Sequence, residues 1–567
     1  MAEPSSRAGE AAGEGGELEL LLPEDVGREV DRWLARAVDE GVAGRVWRRD
    51  AALWGPPDAP KVGDRLGWLD APTTSLGQVG EIEAFVAECR AEGIRDVVLL
   101  GMGGSSLAPE VVRRSLAAAG GPAPGAPRLT VLDSVDPDAV AAVEASTDFE
   151  HALFLVSTKS GGTIETLSLA RRLLATAQRS LGTERPGRSF VAITDPGGTL
   201  LDLAHEWGFR RAFLGDPEIG GRFSALSVFG TVPAALAGTD LRVLLAGAEE
   251  GRRLCAAERL GADNVGVRLG VAMGALALLG RDKLGFVIDE PLGGLGLWLE
   301  QLVAESTGKD GRGIVPVVDE PLEAARAGGD DRAVVAVGAQ GGGAHRRAEE
   351  LAALGHPALS LAGGVVSDLG RLFFLFEFAT AVAGWVLEVN PFDQPDVEEA
   401  KARTRALLDG GGVRRTEPAD ATTDPALAAR DLFAAAAPPE YLAVLIYAPL
   451  SDGLDRAAER LRTAVAARTG AAATVGYGPR YLHSTGQLHK GGPPTGRFLV
   501  LVRAPREPDL EVPDAGYGFG ELLLAQAGGD LEALRARGRP AVSIELAGDP
   551  VAALDRLAEA VSVETAA

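Results

Sequence analysis

Two loops in this chain of 567 residues combine the glycines, hydroxyls and cations that hold a phosphate group. Residues 97–110 predict a buried strand, a turn with glycines at 101, 103 and 104, and a helix start. Such glycines let backbone N–H groups approach an anion at a helix N-terminus, where the helix dipole favours negative charge. Residues 157–166, Ser-Thr-Lys-Ser-Gly-Gly-Thr-Ile-Glu-Thr, also follow a predicted strand. Their hydroxyls and lysine favour a phosphate cradle over an ordinary solvated loop.

The glycine-rich loop alone leaves other interpretations open. A glycine turn between a strand and a helix also serves tight packing, and it occurs in dinucleotide sites. A dinucleotide site needs an acidic residue about twenty positions further on, at the end of the next strand. Asp133 lies too far along the chain for that role.

Glu305 and Arg222 are candidates for acid–base chemistry next to a carbonyl group. Such chemistry needs a base that removes a weakly acidic proton and positive charge where the oxyanion develops. Glu305 lies in the string 301–309, and Gln301 falls on the same helix face four residues earlier. Arg222 lies in Gly-Gly-Arg-Phe-Ser, where it presents a fixed positive fork. Taken alone, the glutamate is also compatible with a cap or a surface charge, and the arginine with a structural salt bridge.

Two further strings supply polar candidates. Residues 392–401, Phe-Asp-Gln-Pro-Asp-Val-Glu-Glu-Ala-Lys, contain Gln394 and Lys401. A lysine at such a position is otherwise a solvated helix residue. Residues 480–492 contain His483 and His489 within Arg-Tyr-Leu-His-Ser-Thr-Gly-Gln-Leu-His-Lys-Gly-Gly.

These motifs together resemble those of the phosphoglucose isomerase family. The resemblance covers residues 45–565 and is strongest at the hydroxyl loop and at the strings around Arg222, Glu305 and Gln394. It implies reversible isomerisation of glucose 6-phosphate and fructose 6-phosphate through an enediolate, a step of glycolysis and gluconeogenesis. It also implies Glu305 as the proton carrier, Arg222 as the group facing the enediolate, and Gln301 as a substrate-binding residue. Gln394 would bind phosphate, and Lys401 would assist ring opening.

The hydroxyl loop resembles the signature of the sugar-isomerase (SIS) domain, which binds sugar phosphates. Lys159 is expected to contribute its backbone N–H and not its ammonium group. The phosphate-side residues implied by the resemblance are Gly104, Ser105, Thr158, Lys159, Ser160 and Thr163.

The chain departs from the family pattern at two places. Pro395 and Asp396 replace the usual Trp-Gly, so the local turn must differ. The family's ring-opening histidine, within a Thr-Asn-Gly-Gln-His string between the base and the lysine, is not found there. His489 is our preferred substitute and His483 the alternative. The string around them resembles the isomerase half of bacterial fusions between transaldolase and phosphoglucose isomerase.

Predicted strands and helices alternate from residue 96 onward, which is typical of βα units in a parallel sheet. The predicted strands are 97–100, 129–132, 153–156, 191–194 and 212–214, then 286–289, 314–318, 334–337 and 358–361, then 444–447, 474–476, 498–502 and 542–546. We therefore expect an α/β fold with two doubly wound SIS-type domains and a smaller C-terminal α/β module. The expected ranges are 1–70 for a disordered start and a helical arm around 26–40, 71–240 and 241–415 for the domains, and 430–567 for the module, after a linker at 417–438.

Composition narrows the functional classes. A formal charge of −24 argues against a nucleic-acid or anionic-membrane surface. Cys89 and Cys255 are the only cysteines, so no disulfide framework can form, which fits a reducing cytoplasm. The apolar stretch 369–387 contains Arg371 and Glu377, which favours a buried core helix over a membrane span.

We expect a cytoplasmic enzyme that needs no metal and no organic cofactor, with a homodimer allowed by the resemblance. Histidine spacing shows no metal-ligand pattern such as His-x-x-x-His. Two alternatives stay open: an isomerase that also accepts mannose 6-phosphate, and a sensor that binds sugar phosphates without turnover. A transaldolase is least favoured, because no Schiff-base lysine in a barrel context is visible.

Overall fold

The computed structural model of this chain describes residues 17–56, 61–182, 184–396, 403, 408, 425–434 and 436–562. Within those residues the strands are β1 (Leu18–Leu21), β2 (Asp96–Gly101), β3 (Arg128–Leu132), β4 (Ala152–Ser157), β5 (Phe190–Thr194), β6 (Arg211–Leu214), β7 (Lys283–Ile288), β8 (Val315–Val318), β9 (Arg332–Gly338), β10 (Ala358–Ala362), β11 (Tyr441–Tyr447), β12 (Ala472–Tyr477), β13 (Gly496–Arg503) and β14 (Ala541–Leu546). The α-helices are α1 (Glu24–Asp39), α2 (Val42–Trp47), α3 (Ala71–Ala91), α4 (Leu107–Ala118), α5 (Pro137–Ser146), α6 (Ile164–Leu181), α7 (Thr199–Glu206), α8 (Val228–Leu236), α9 (Leu241–Leu254), α10 (Val265–Leu278), α11 (Leu295–Thr307), α12 (Leu322–Ala327), α13 (Gly343–Ala353), α14 (Leu369–Leu387), α15 (Pro425–Ala434), α16 (Asp452–Thr469), α17 (Gly486–Gly491), α18 (Phe519–Ala536) and α19 (Pro550–Ser562). Residues 1–16 of the expected disordered start lie outside the described part.

The first sheet is fully parallel, with strand order β3-β2-β4-β5-β6. Its central strands β2, β4 and β5 are mainly apolar and buried along their whole length, because both faces of the sheet are covered there. Along β2, Val97 and Leu99 belong to one hydrophobic core, whereas Val98 and Leu100 belong to another. Successive side chains along the strand therefore pack into two different cores, one on each face of the sheet. The predicted doubly wound α/β fold is confirmed here.

The second sheet has the order β1-β10-β9-β7-β8. Strands β7 to β10 run parallel as predicted, but β1 pairs antiparallel with β10, and Leu18 lies opposite Leu361. The sequence predicted only a helical arm for this part of the chain. A short edge strand whose partner lies so far along the chain carries no local signal that distinguishes it from a loop.

A carboxylate occupies the helix start that follows β9. The turn Gly341 to Gly343 leads into α13, and Asp289 Oδ1 accepts the N–H of Ala344 at 2.8 Å. A Cβ atom at Gly342 would lie 2.6 Å from Asp289 Oδ2. The glycine therefore lets the carboxylate approach the positive end of the helix dipole.

Helix α14 is the most apolar element and lies in the centre of the larger core. Val366–Leu387 is long and apolar enough to span a membrane by length and composition, yet every residue of α14 itself is buried inside the protein. A Cβ atom at Gly270 of α10 would lie 2.2 Å from the carbonyl oxygen of Ala379, so glycine is required for this close helix crossing. The prediction of a buried core helix is confirmed.

The third sheet is parallel, with order β12-β11-β13-β14. Two helices near it were not predicted. Residues 425–434, interpreted as linker, form α15, whose Phe433 is buried in the core of this module. Helix α18 was missed because its Gly-Gly pair at 528–529 and its long apolar runs conceal the helical period.

The third sheet packs against the first through a shared core. Tyr441, Leu445 and Phe498 belong to the same hydrophobic cluster as Leu100 and Phe154. This contact brings the segment between β12 and β13 to the carboxyl ends of the first sheet's strands.

Glu377 of α14 provides a test of this core. Both its carboxylate oxygens are buried without a hydrogen-bond partner among the described residues, and burial raises its pKa well above the ordinary value. Because the folded state binds this proton more tightly than the unfolded chain, stability falls as pH rises above the unfolded pKa of about 4.3. We predict that Glu377→Leu raises the free energy of unfolding at pH 8 by about 1–3 kcal/mol, seen as a higher Tm.

The matched control for this prediction is Glu377→Gln. It removes the ionisable group but keeps an unpartnered polar side chain, so the pH dependence should weaken while most of the stability gain is absent. An equal or lower Tm for Glu377→Leu at pH 8 would contradict the prediction.

Candidate active site

A cavity of about 300 Å³ lies where the carboxyl ends of β2, β4 and β5 meet the end of α11. Ligand sites of open parallel sheets occupy this edge. Its lining residues are Lys61, Arg65, Met102, Gly103, Gly104, Ser105, Ser157, Thr158, Lys159, Ser160, Thr163, Asp195, Gly220, Gly221, Arg222, Gln301, Glu305, Phe392, Gln394 and His483. The structure therefore brings together every predicted site residue that it describes except His489.

One wall of the cavity combines a glycine turn with hydroxyl groups. Residues Gly103–Ser105 form a short helical turn before α4, and a Cβ atom at Gly104 would lie 1.9 Å from the carbonyl oxygen of Gly221. Thr158 Oγ1 and Thr163 Oγ1 share a hydrogen bond of 2.8 Å. Ser157 Oγ is buried without a partner among the described residues, so it is available to a ligand.

Lys159 uses its ammonium group inside the protein. Its Nζ donates to Asp195 Oδ2 at 2.5 Å and to the carbonyl oxygen of Asp216 at 2.8 Å. Burial lowers the pKa of Lys159, although Asp195 opposes the shift. With the ammonium engaged in this way, the backbone N–H is the group left for an anion; this role remains a prediction.

Glu305 and Gln301 line the cavity from the last turns of α11. Gln301 Nε2 donates to Glu305 Oε2 at 3.0 Å and to the carbonyl oxygen of His483 at 2.8 Å. Gln301 Oε1 is buried without a partner among the described residues. The amide therefore fixes one oxygen of the carboxylate and keeps an acceptor for a ligand.

Arg222 lies beside Glu305 and is fully committed to fixed partners. Its Nη1 is 3.5 Å from Glu305 Oε1 and donates to Gln394 Oε1 at 2.9 Å. Its Nε donates to Ser306 Oγ at 2.7 Å, and its Nη2 donates to the carbonyl oxygen of Asp393 at 2.8 Å. Burial lowers the pKa of Arg222, although Glu305 and Asp393 oppose the shift. The guanidinium is held rigidly between the glutamate and the 391–394 loop.

His483 enters the cavity from the third module. It ends the short helical turn Arg480–His483, and Arg480 forms two hydrogen bonds to Asp133 at 2.7 and 2.8 Å. The ring Nε2 of His483 is 2.7 Å from Oε1 of the buried Glu165. Because a carboxylate oxygen only accepts, Nε2 carries the proton and Nδ1 keeps a lone pair.

The cavity therefore holds a base, a rigid cation, an oriented histidine and a hydroxyl-rich anion wall. A sequence model of the phosphoglucose isomerase family matches residues 84–315. The glucose-6-phosphate isomerase of Rubrobacter xylanophilus is 33% identical over 399 residues, which cover 62% of this chain and 91% of that protein. The chain belongs to the phosphoglucose isomerase family. The corresponding enzyme of Carboxydothermus hydrogenoformans is 30% identical over 60% of this chain and 85% of its own length.

Two solved structures are similar in fold to this chain. A hypothetical protein of Thermus thermophilus matches with a TM-score of 0.57 and 28% identity, over 69% of this chain and 99% of that one. A glucose-6-phosphate isomerase of Chlamydia trachomatis shares the fold, with a TM-score of 0.50 and 22% identity over 65% of this chain and 78% of that one.

The structure does not bring His489, the preferred candidate for ring opening, to the cavity. His489 lies outside the cavity, with its Nδ1 3.0 Å from the hydroxyl of Tyr441 and its ring against Phe498. Burial lowers the pKa of His489 well below the ordinary value, and Lys490 and Arg539 add to the effect. It is a neutral core residue, because the α17 helix turns it towards the third sheet. The alternative, His483, is the histidine that lines the cavity of this phosphoglucose isomerase family member.

The departure at Pro395 and Asp396 has a structural role. The backbone N–H of Asp396 donates to Gln487 Oε1 at 3.0 Å, and Gln487 Nε2 donates to Asp396 Oδ2 at 2.6 Å. The same amide donates to the carbonyl oxygen of Gly308 at 3.1 Å. The third module is thus bonded to two family motifs at once. Lys401 lies outside the described residues.

Lys309 is a buried cation that the motif analysis did not single out. Its Nζ pairs with Asp393 Oδ1 at 2.7 Å and contacts the carbonyl oxygen of Asn390. Burial, with help from Arg222, lowers the pKa of Lys309 to about 7. Lys309 therefore holds the loop that in turn holds Arg222.

Among the described residues, no group of three or more His, Cys, Asp or Glu side chains is arranged to bind a metal ion.

Lys61 and Arg65 line the cavity although the sequence analysis named no site residue in their segment. Arg65 Nη1 donates to the carbonyl oxygen of Pro217 at 3.1 Å, and Lys61 has the left-handed φ of 60° that non-glycine residues rarely adopt. Four cationic and two carboxylate side chains line the cavity, which leaves an excess of two positive charges. Without Lys61 and Arg65 the charges of the lining would balance. No motif surrounds them, so the sequence offered no signal.

We predict that Lys61→Gln and Arg65→Gln each raise KM for a phosphorylated substrate about fivefold, corresponding to about 1 kcal/mol, with kcat little changed. A charge at the cavity entrance attracts the phosphate without contacting the reacting carbons. Steady-state kinetics at low and high salt measure the effect, which should shrink with salt because mobile ions screen exposed charges.

Arg95→Gln is the matched control, because Arg95 precedes β2 at the opposite edge of the same sheet. It removes the same charge without changing the cavity. A KM increase of equal size in Arg95→Gln would assign the effect to net charge and contradict a local role for Lys61 and Arg65.

Proposed function

We propose that this protein interconverts glucose 6-phosphate and fructose 6-phosphate by proton transfer through an enediolate. The observation that carries the proposal is Glu305 set between Gln301 and the buried guanidinium of Arg222, in a cavity that is also lined by several hydroxyl groups. The named activity of the relatives supports the same reaction.

The phosphate of the substrate lies against the hydroxyl loop in this proposal. Ser105, Thr158, Ser160 and Thr163 offer hydroxyl groups, and the turn at Gly104 and the start of α6 offer backbone N–H groups. A phosphate at a helix N-terminus gains from the helix dipole as well as from these donors. The sugar carbons then extend towards Glu305.

Ring opening is the first chemical step. The bond between the anomeric carbon and the ring oxygen breaks, the ring oxygen gains a proton, and the anomeric hydroxyl loses one. His483 is the group we assign to this proton exchange, because Glu165 holds its Nε2 and leaves Nδ1 for the sugar. Lys401 is proposed as its partner on the strength of the family motif.

Isomerisation follows on the open chain. In the direction from aldose to ketose, Glu305 removes the proton from C2 and returns it to C1. The C1 carbonyl oxygen becomes the enediolate oxygen and then a hydroxyl by taking the proton of the C2 hydroxyl, whose oxygen becomes the new carbonyl. Arg222 stabilises the developing negative charge. Its geometry is preorganised, since every bond that fixes it comes from the protein itself.

Several further features belong to the proposal. Each step uses side chains, so we propose no metal or organic cofactor and a cytoplasmic site of action. A homodimer is compatible with the family, but His483 comes from the same chain as Glu305 and needs no second copy. Acceptance of mannose 6-phosphate stays an alternative, because the two aldoses differ only in the orientation of one hydroxyl.

We predict that the purified protein converts fructose 6-phosphate to glucose 6-phosphate in the presence of a chelator. Glu305→Gln should lower kcat by about 10²- to 10⁴-fold, because the amide cannot carry the proton. A coupled assay for glucose 6-phosphate measures the rate, and inhibition by inorganic phosphate reports binding.

The control for Glu305→Gln is its affinity for inorganic phosphate, which should stay within about twofold of the unmodified protein. Phosphate binding without turnover in the unmodified protein would favour a sugar-phosphate sensor and reject the isomerase. Loss of turnover with chelator alone would reject the metal-free mechanism.

Substitutions of His483 and His489 should have different effects on kcat and Tm. We predict that His483→Gln lowers kcat by about 10²-fold or more, since general acid–base catalysis contributes at least that much. His489→Gln should instead lower Tm, because it disturbs the aromatic core around Tyr441 and Phe498, and should keep kcat within about threefold. The opposite pattern would return ring opening to His489.

A further inference from the structure

Helix α18 of the third module presents two buried polar side chains towards the cavity's histidine. Gln526 and Asp530 lie four residues apart, so they share one face of the helix. Both are at least nine-tenths buried. Neither lines the cavity, and neither lies in a motif of the phosphoglucose isomerase family.

Gln526 bonds to the carboxylate that holds His483. Its Nε2 donates to Glu165 Oε1 at 2.6 Å, and the same oxygen accepts the ring Nε2–H of His483 at 2.7 Å. Glu165 belongs to the first turn of α6, in the hydroxyl loop, whereas the other two belong to the third module. One carboxylate oxygen therefore joins two elements of the third module to the phosphate-side loop.

Asp530 holds the segment that carries His483. Its Oδ2 accepts the hydroxyl of Tyr481 at 2.6 Å, and its Oδ1 pairs with Lys490 Nζ at 2.5 Å. Tyr481 lies two residues before His483, and Lys490 lies seven residues after it. The backbone of the segment is thus fixed by Asp530, while the orientation of the imidazole depends on Glu165.

We propose that Gln526 is a positioning residue for ring opening, which it supports by fixing Glu165 and thereby the orientation of His483. This inference rests on the proposed isomerase function. Without the amide, the oxygen that accepts the His483 proton loses its bond from α18, and the imidazole loses its fixed direction. Glu305, Arg222 and the phosphate wall keep their own contacts, so ring opening should suffer more than binding.

The experiment isolates ring opening from proton transfer. Opening and reclosure of the ring interconvert the α and β anomers of glucose 6-phosphate, and this exchange needs no Glu305. Magnetisation-exchange NMR on the Glu305→Gln protein, with and without Gln526→Leu, measures the protein-dependent exchange rate. Gln526→Leu should lower it by about 10- to 100-fold, which is the size of effect expected for a misplaced catalytic group. The affinity for inorganic phosphate should stay within about twofold.

Glu532→Gln is the matched control, because Glu532 lies on the exposed face of the same helix. Should the leucine variant fail to fold, Gln526→Asn keeps an amide that is one methylene too short to reach Glu165. Unchanged anomer exchange, or a loss of exchange in step with phosphate affinity, overturns the positioning role. An unmodified protein that neither isomerises nor exchanges anomers overturns the proposed function itself.

Discussion

The buried guanidinium of Arg222 is the interaction on which the rest of the site depends. A fully buried charge is costly unless its donors are all used, and here they are used by α11, by the 391–394 loop and by Glu305. The carbonyl oxygen of the same residue accepts the Nε1–H of Trp298 at 3.2 Å. Arg222 follows the last strand of the first sheet. Its partners lie in α11 and in the 391–394 loop, which belong to the second α/β half. One residue therefore bonds the two α/β halves to each other and places the positive charge beside the carboxylate.

The third module completes this arrangement by contacting the motifs directly. A Cβ atom at Gly308 would lie 2.5 Å from Leu488 Cα, and the N–H of Gly311 donates to the carbonyl oxygen of Gly491 at 2.9 Å. Together with the bonds between Gln487 and Asp396, these contacts fix α17 against the end of α11. Asp396, one of the two residues at the place of the usual Trp-Gly, therefore bonds the 391–396 segment to the third module.

Sequence reasoning recovered the parts whose signal is local. The strands of the three sheets, the buried helix α14 and the clustering of Glu305, Arg222, Gln301 and Gln394 followed from apolar runs and short motifs. The choice between His483 and His489 could not be made from the sequence, because it depends on which side of one short segment packs against Tyr441 and Phe498. Lys61, Arg65, Gln526 and β1 act through contacts with residues far along the chain, and such contacts leave no trace in a single sequence.

The carboxylate of Asp289 occupies, at the start of α13, the kind of helix N-terminus at which the first half presents its phosphate-side loop. The two α/β halves are built alike, and each has a glycine turn that leads into a helix from the end of a strand. In the second half the place for an anion is taken by the protein's own acid, which would repel an incoming phosphate as well as block it. In the second half, this helix N-terminus is therefore occupied by a side chain of the protein and has a structural role.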